Sequence, residues 1–93
     1  MTLLKRMAKA GLSPVEVSSG WYRIDQEDKA SALVSPRADG KVASLAHDFG
    51  GFDPNTRILR VFDAEMRQVL DIVGEVHAST QEEFCHKAEQ LLK

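Results

Sequence analysis

The chain has 93 residues, and its 12 basic and 14 acidic side chains leave a formal charge of −2. With 43% apolar and 28% charged residues, the composition is globular rather than disordered. It fits one small domain, residues 1–93, with little stability to spare. It lacks the basic excess expected of a protein whose main task is gripping a nucleic acid backbone.

The single cysteine, Cys85, excludes a disulfide framework and any multi-cysteine zinc site, and a leftover thiol fits a reducing compartment. The first ten residues spread Lys5, Arg6 and Lys9 through the segment and form no apolar core of a signal peptide. No apolar run reaches membrane-spanning length. The expected location is the cytoplasm, with no membrane partner.

Residues 2 to 10 predict a short amphipathic helix, with Leu3, Leu4, Met7 and Ala8 on one stripe and Lys5, Arg6 and Lys9 outward. Thr2 suits the N-cap, and Gly11 stands where a left-handed terminating residue belongs. Ser13-Pro14 breaks the helix, and Val15-Glu16-Val17 opens an extended stretch. Ser18-Ser19-Gly20 interrupts it before Trp21-Tyr22-Arg23-Ile24 resumes. Here stand the only Trp and the only Tyr of the chain. They read as core area, with a stacking platform for a base or a partner side chain as the functional alternative. Asp25 to Lys29 reads as a solvated loop, because the alternating ligands and central Gly of a calcium loop are absent.

The most organised stretch is Ala32-Leu33-Val34-Ser35 and Val42 to His47, flanking Asp39-Gly40. That pair suits a type I′ hairpin turn, which needs positive φ at both central residues. Pro36 sits at a strand end, where a missing N–H is tolerated. On the second strand Ala43, Leu45, His47 and Phe49 share one face. His47 beside apolar neighbours reads as a hydrogen-bonded structural residue before it reads as a ligand or base. Gly50-Gly51 closes the hairpin as a corner.

Residues 54–76 admit two readings. Asp53-Pro54 suits a helix start, and Leu59, Phe62, Met66, Val69, Val73 and Val76 recur in steps of three and four, with Gly74 as a stop. The competing reading is a β-hairpin turning at Ala64-Glu65, since Arg57 to Phe62 and Ile72 to Val76 favour strands locally. The unbroken periodicity favours the helix. The end of the chain is clearer: Thr80-Gln81-Glu82-Glu83 forms a capping box. Phe84, Ala88, Leu91 and Leu92 then stripe a closing helix, with Cys85 beside them as a small buried hydrophobe.

The chemistry-bearing fragments are sparse. Asp48-Phe49-Gly50 matches the magnesium-binding tripeptide of protein kinases, but the chain is too short and lacks the other kinase motifs. Cys85 and His86 are neighbours and point in different directions on a helix. His47, His77 and His86 show no metal-ligand spacing. His47-Asp48 with Arg57 and Arg60 is the one polar cluster worth following. The glycine corner and a helix start at Pro54 would offer backbone N–H groups to an anion there.

Gly20-Trp21-Tyr22-Arg23, Asp28-Lys29-Ala30-Ser31, Asp39-Gly40-Lys41 and His47-Asp48-Phe49-Gly50-Gly51 resemble, in order and rough spacing, the zinc-ribbon domain of bacterial and phage primases. The resemblance implies a nucleic-acid-associated replication module. The Cys and His ligands of that domain are missing here, so zinc does not carry over. The expected order of helix, three strands and helix is similar to small toxin ribonucleases of the double-stranded-RNA-binding layout. Their Gly-Ser-His signature has no counterpart, and layout alone carries no activity.

The expectation is an α+β fold: a small antiparallel sheet of three to four strands over residues 15 to 49, with an N-terminal helix and C-terminal helices packed on one face. The leading function is a small non-enzymatic protein-interaction module, an adaptor or inhibitor that binds another protein. The alternative is a nucleic-acid-associated domain using Lys5, Arg6, Lys9, Arg23, Arg57 and Arg60 as a local patch. A small hydrolase using His47 comes third. Candidate binding residues are Trp21, Arg23, His47, Asp48, Arg57 and Arg60. No catalytic residue, metal or cofactor is expected. A homodimer would be a cheap way for so small a chain to bury more area.

Overall fold

The computed structural model describes residues 3–25, 32–46, 55–63 and 71–93. Helix α1 (Leu3–Lys9) precedes strands β1 (Val15–Ser18), β2 (Trp21–Ile24), β3 (Ala32–Pro36), β4 (Val42–Ala46), β5 (Thr56–Phe62) and β6 (Asp71–His77), and helix α2 (Gln81–Leu92) follows. The strands form one sheet in the order β1-β2-β3-β4-β5-β6, each antiparallel to its neighbour. The α+β class is as expected, but the sheet has six strands rather than three to four. No helix among the described residues is long and apolar enough to cross a membrane.

The two additional strands come from the segment for which helical periodicity was the favoured reading. That reading is corrected: Thr56–Phe62 and Asp71–His77 form a hairpin, and Gly74 stops nothing but pairs with Leu59 inside β6. A strand buried on both faces carries apolar residues at nearly every position. Such a run also satisfies steps of three and four, so periodicity alone does not separate it from a helix. Pairing decides, because β5 continues the ladder of β4 from Val42↔Phe62 to Ala46↔Ile58. The expected turn at Ala64-Glu65 lies outside the described residues, as do the Gly50-Gly51 corner and the helix start at Pro54.

Both faces of the sheet carry apolar side chains, and each has its own cover. On one face Trp21, Leu33, Ala43, Leu45, Leu59 and Val76 pack under Phe84, Cys85 and Ala88 of α2. On the other, Ile24, Val34 and Val42 pack with Met7 of α1, joined by Leu12, Tyr22 and Phe62. The helices therefore lie on opposite faces, not on one as expected. The reason is visible in β3, where Leu33 and Val34 are adjacent and both buried. Alternate residues of a strand point to opposite sides, so each of the two needs a separate cover.

Local chemistry sets the punctuation. Helix α1 ends in the two reciprocal bonds of a Schellman motif, Leu12 N–H to Met7 C=O at 2.9 Å and Gly11 N–H to Ala8 C=O at 3.1 Å. Gly11 takes the left-handed conformation there, with φ 85°, which costs a residue without Cβ little. The β3–β4 turn is a three-residue loop rather than the two-residue type I′ turn expected. Gly40 N–H bonds Arg37 C=O at 3.1 Å, and Arg37 N–H bonds Lys41 C=O at 2.8 Å. Ala38 and Asp39 thus fill the turn centre and Gly40, with φ 85°, supplies the left-handed step that follows. The Asp39 carboxylate accepts the Lys41 N–H at 2.9 Å. At α2 half of the expected capping box forms: Thr80 Oγ1 accepts Glu83 N–H at 3.1 Å, while Glu83 Oε2 accepts the N–H of Ser79, one residue before the N-cap, at 3.3 Å instead of that of Thr80.

Candidate interaction surface

Of the residues that the sequence singles out, the four that are described, Trp21, Arg23, Arg57 and Arg60, do not share one face. Trp21 is 1% exposed and belongs to the core beneath α2. Arg23 is on the same face by alternation, with Nε 3.4 Å from the Asp25 carboxylate. Arg57 is buried under α2: its guanidinium lies 5.2 Å from the Phe84 ring centroid, and Nη1 donates to Leu45 C=O at 3.4 Å. Burial lowers the pKa of that guanidinium. Arg60 alternates to the opposite face, which α1 covers, and Lys5, Arg6 and Lys9 stand exposed on α1 itself. The six basic residues of the expected patch are therefore divided between the two faces, with Arg57 facing inward. His47 and Asp48 lie outside the described residues.

Cys85 is buried, and desolvation pushes its thiol up to about 11. His86, next in sequence, is exposed. The two do not form a nucleophile and base. Among the described residues no group of three or more His, Cys, Asp and Glu side chains is placed to hold a metal ion.

One polar cluster was not anticipated. Glu89 of α2 accepts the Trp21 indole N–H at 2.9 Å on Oε1. Arg37, just after β3, donates to both its oxygens, Nη1 to Oε1 and Nη2 to Oε2, the latter at 3.1 Å. Arg37 Nη1 also reaches Ser35 Oγ at 3.1 Å. The Arg37 hydrogen bond and, less strongly, that of Trp21 hold the Glu89 carboxyl below its ordinary pKa, while Glu89 raises that of Arg37. This fork-shaped pairing fixes α2 on the sheet. Its members are 52 and 68 positions apart in sequence, so no local pattern announces it. The only signal available was a Trp with a buried N–H that needs an acceptor.

The surface left open lies at the β6 end of the sheet. Helix α2 crosses its face and touches both edge strands, β6 and β1, so the open part of β6 is its Ile72–Val73 end. Ile72 is 60% exposed and Val73 39%, and Leu91 of α2 is 48% exposed. The register shifts between Leu59↔Gly74 and Arg60↔Ile72, so Val73 bulges out of the ladder. It lines a depression of about 440 Å³ with Arg37, Lys41, Val61 and Leu92. A second depression, about 390 Å³, runs between β6 and α2 and is lined by Glu75, Val76, His77, Lys87 and Leu91.

The backbone of β6 faces outward in a definite pattern. Ala78 N–H bonds Asn55 C=O on the β5 side at 3.0 Å. Inward bonding alternates every second residue in an antiparallel pair, so Val76 and Gly74 also face β5, while Glu75 and His77 turn their N–H and C=O away. Among the described residues no further strand pairs there. The arrangement is a strand edge with backbone donors and acceptors and apolar side chains beside it. Comparison with known proteins brings no match, whether to a family model, a curated protein or a solved structure.

Proposed function

We propose that the chain is a non-enzymatic protein-interaction module that binds at the β6 edge, where a partner segment adds as a further strand. The observation that carries this reading is the coincidence of an outward-facing ladder with Ile72, Val73 and Leu91, the apolar side chains most exposed around it. Backbone hydrogen bonds give such an edge affinity, and side chains beside it give selectivity. The opposite edge suits the task less well. Both edges carry one bulge, but β1 has only four residues, and short edges resist pairing. β6 has seven residues.

The test is affinity capture from native cell extract with the wild-type chain and with Ile72→Lys and Val73→Lys, after circular dichroism shows that each variant is folded. Proteins held by the wild-type chain and lost by both variants support the reading. An identical set held by all three baits overturns it.

A further inference from the structure

We propose that the occupant of the β6 edge is a second copy of this chain, paired antiparallel about a twofold axis at Val76. The proposal rests on the reading of β6 as the binding edge and names what binds there. Two copies of one strand pair antiparallel in an isologous contact, in which each residue meets its own mirror position. The outward backbone groups of Glu75 and His77 limit the choices. A register that bonds outward residues to outward residues is centred on Glu75, on Val76 or on His77. Centring on Glu75 sets two carboxylates opposite each other, and centring on His77 leaves both carboxylates without the second copy's imidazole. Centring on Val76 places each Glu75 across from the second copy's His77, twice over. An imidazole N–H facing a carboxylate across a ladder can donate to it, whereas two carboxylates placed there repel.

The side chains are already arranged for this. Glu75 Oε2 lies 3.6 Å from His77 Nε2 within one chain, so the two share a face and reach the same region. Thr56 Oγ1 lies 2.8 Å from His77 Nδ1 and orients the ring. The His77 carbonyl accepts from Lys87 Nζ at 2.6 Å, and a carbonyl oxygen has a second lone pair for the new strand. The axis stands perpendicular to the sheet, so both α2 helices fall on one side of a continuous twelve-stranded sheet. The depressions between β6 and α2 then face each other, and Leu91 of each copy is covered by the other. That removes apolar surface which a chain of this size gains by burying.

Sedimentation equilibrium over a concentration series tests it on the full chain, with wild type, Glu75→Lys, His77→Glu and the double variant. Both side chains are more than half exposed, so the substitutions leave the core untouched. The expected result is a wild-type dimer, a weakening of about tenfold for each single variant, and recovery in the double variant, where a carboxylate again faces a donor across the ladder. Concentration-dependent protection of the Glu75 and His77 amides from hydrogen exchange accompanies it. A wild-type chain that stays monomeric overturns the self-pairing. If Val73→Lys still abolishes capture of other proteins in that case, the edge itself survives as a binding site. A dimer indifferent to both substitutions, with these amides unprotected, overturns the self-pairing also, because its contact lies elsewhere.

Discussion

Replacing Glu89 tests whether the fork to Arg37 and Trp21 holds α2 on the sheet. In Glu89→Ala the Trp21 indole N–H loses its acceptor inside a side chain that is 1% exposed, and a buried donor without a partner costs about 1–3 kcal/mol. The Arg37 ion pair is lost as well. Its side chains are 28% and 35% exposed, so water screens it and its share is about 0–1 kcal/mol. Together the loss is about 2 kcal/mol. Glu89→Gln keeps a carbonyl oxygen for Trp21 and gives up only the charge, so its loss stays under about 1 kcal/mol. For a 93-residue domain holding roughly 5–14 kcal/mol in all, the alanine variant gives up a large fraction. Urea unfolding followed by the fluorescence of Trp21, the only tryptophan, measures both. A Glu89→Ala variant within about 0.5 kcal/mol of wild type, or equal to Glu89→Gln, refutes the reasoning.

The same carboxylate carries a pH signature. Its folded pKa lies below the ordinary 4.5, so its contribution is present above that value and fades as pH falls through the folded one. The stability gap between wild type and Glu89→Gln therefore narrows on acidification.

Cys85 gives the opposite sign. Its thiol rises from 9.0 to about 11 on folding, so the contribution is full below pH 9.0 and declines as pH climbs towards the folded value. Wild type loses stability more steeply over that alkaline range than Cys85→Ala, and equal slopes in urea unfolding would contradict the burial. Thr80→Ala removes the hydroxyl that accepts the Glu83 N–H and costs about 1 kcal/mol. The urea midpoint drops with an unchanged m-value, and an unmoved midpoint would remove the cap from the account.

Much of the local architecture is legible in the chain. Gly11 after a basic amphipathic turn marks the end of α1, and Thr80 followed by Glu83 marks the start of α2, each within a residue or two of its place. Asp39-Gly40 marks the β3–β4 hairpin but not its loop length, because the two- and three-residue turns both accept glycine at the left-handed position. Trp21 as core and Cys85 as a buried hydrophobe follow from residue type alone. The candidate site was less accessible. Arg57 reads as a surface cation until Phe84, from a different part of the chain, provides the ring on which it lies. Ile72 and Val73 read as core until the strand order places them at an edge.

Sequence by itself determined the helix ends, the hairpin position and the α+β class, because those depend on backbone preferences and hydrogen bonds spanning a few residues. Tertiary structure alone decided that residues 56–62 and 71–77 are strands, that the helices take opposite faces, and that Glu89 meets Trp21 and Arg37. Those outcomes depend on which backbone groups and side chains find partners across the sheet, and an apolar run does not state its partner.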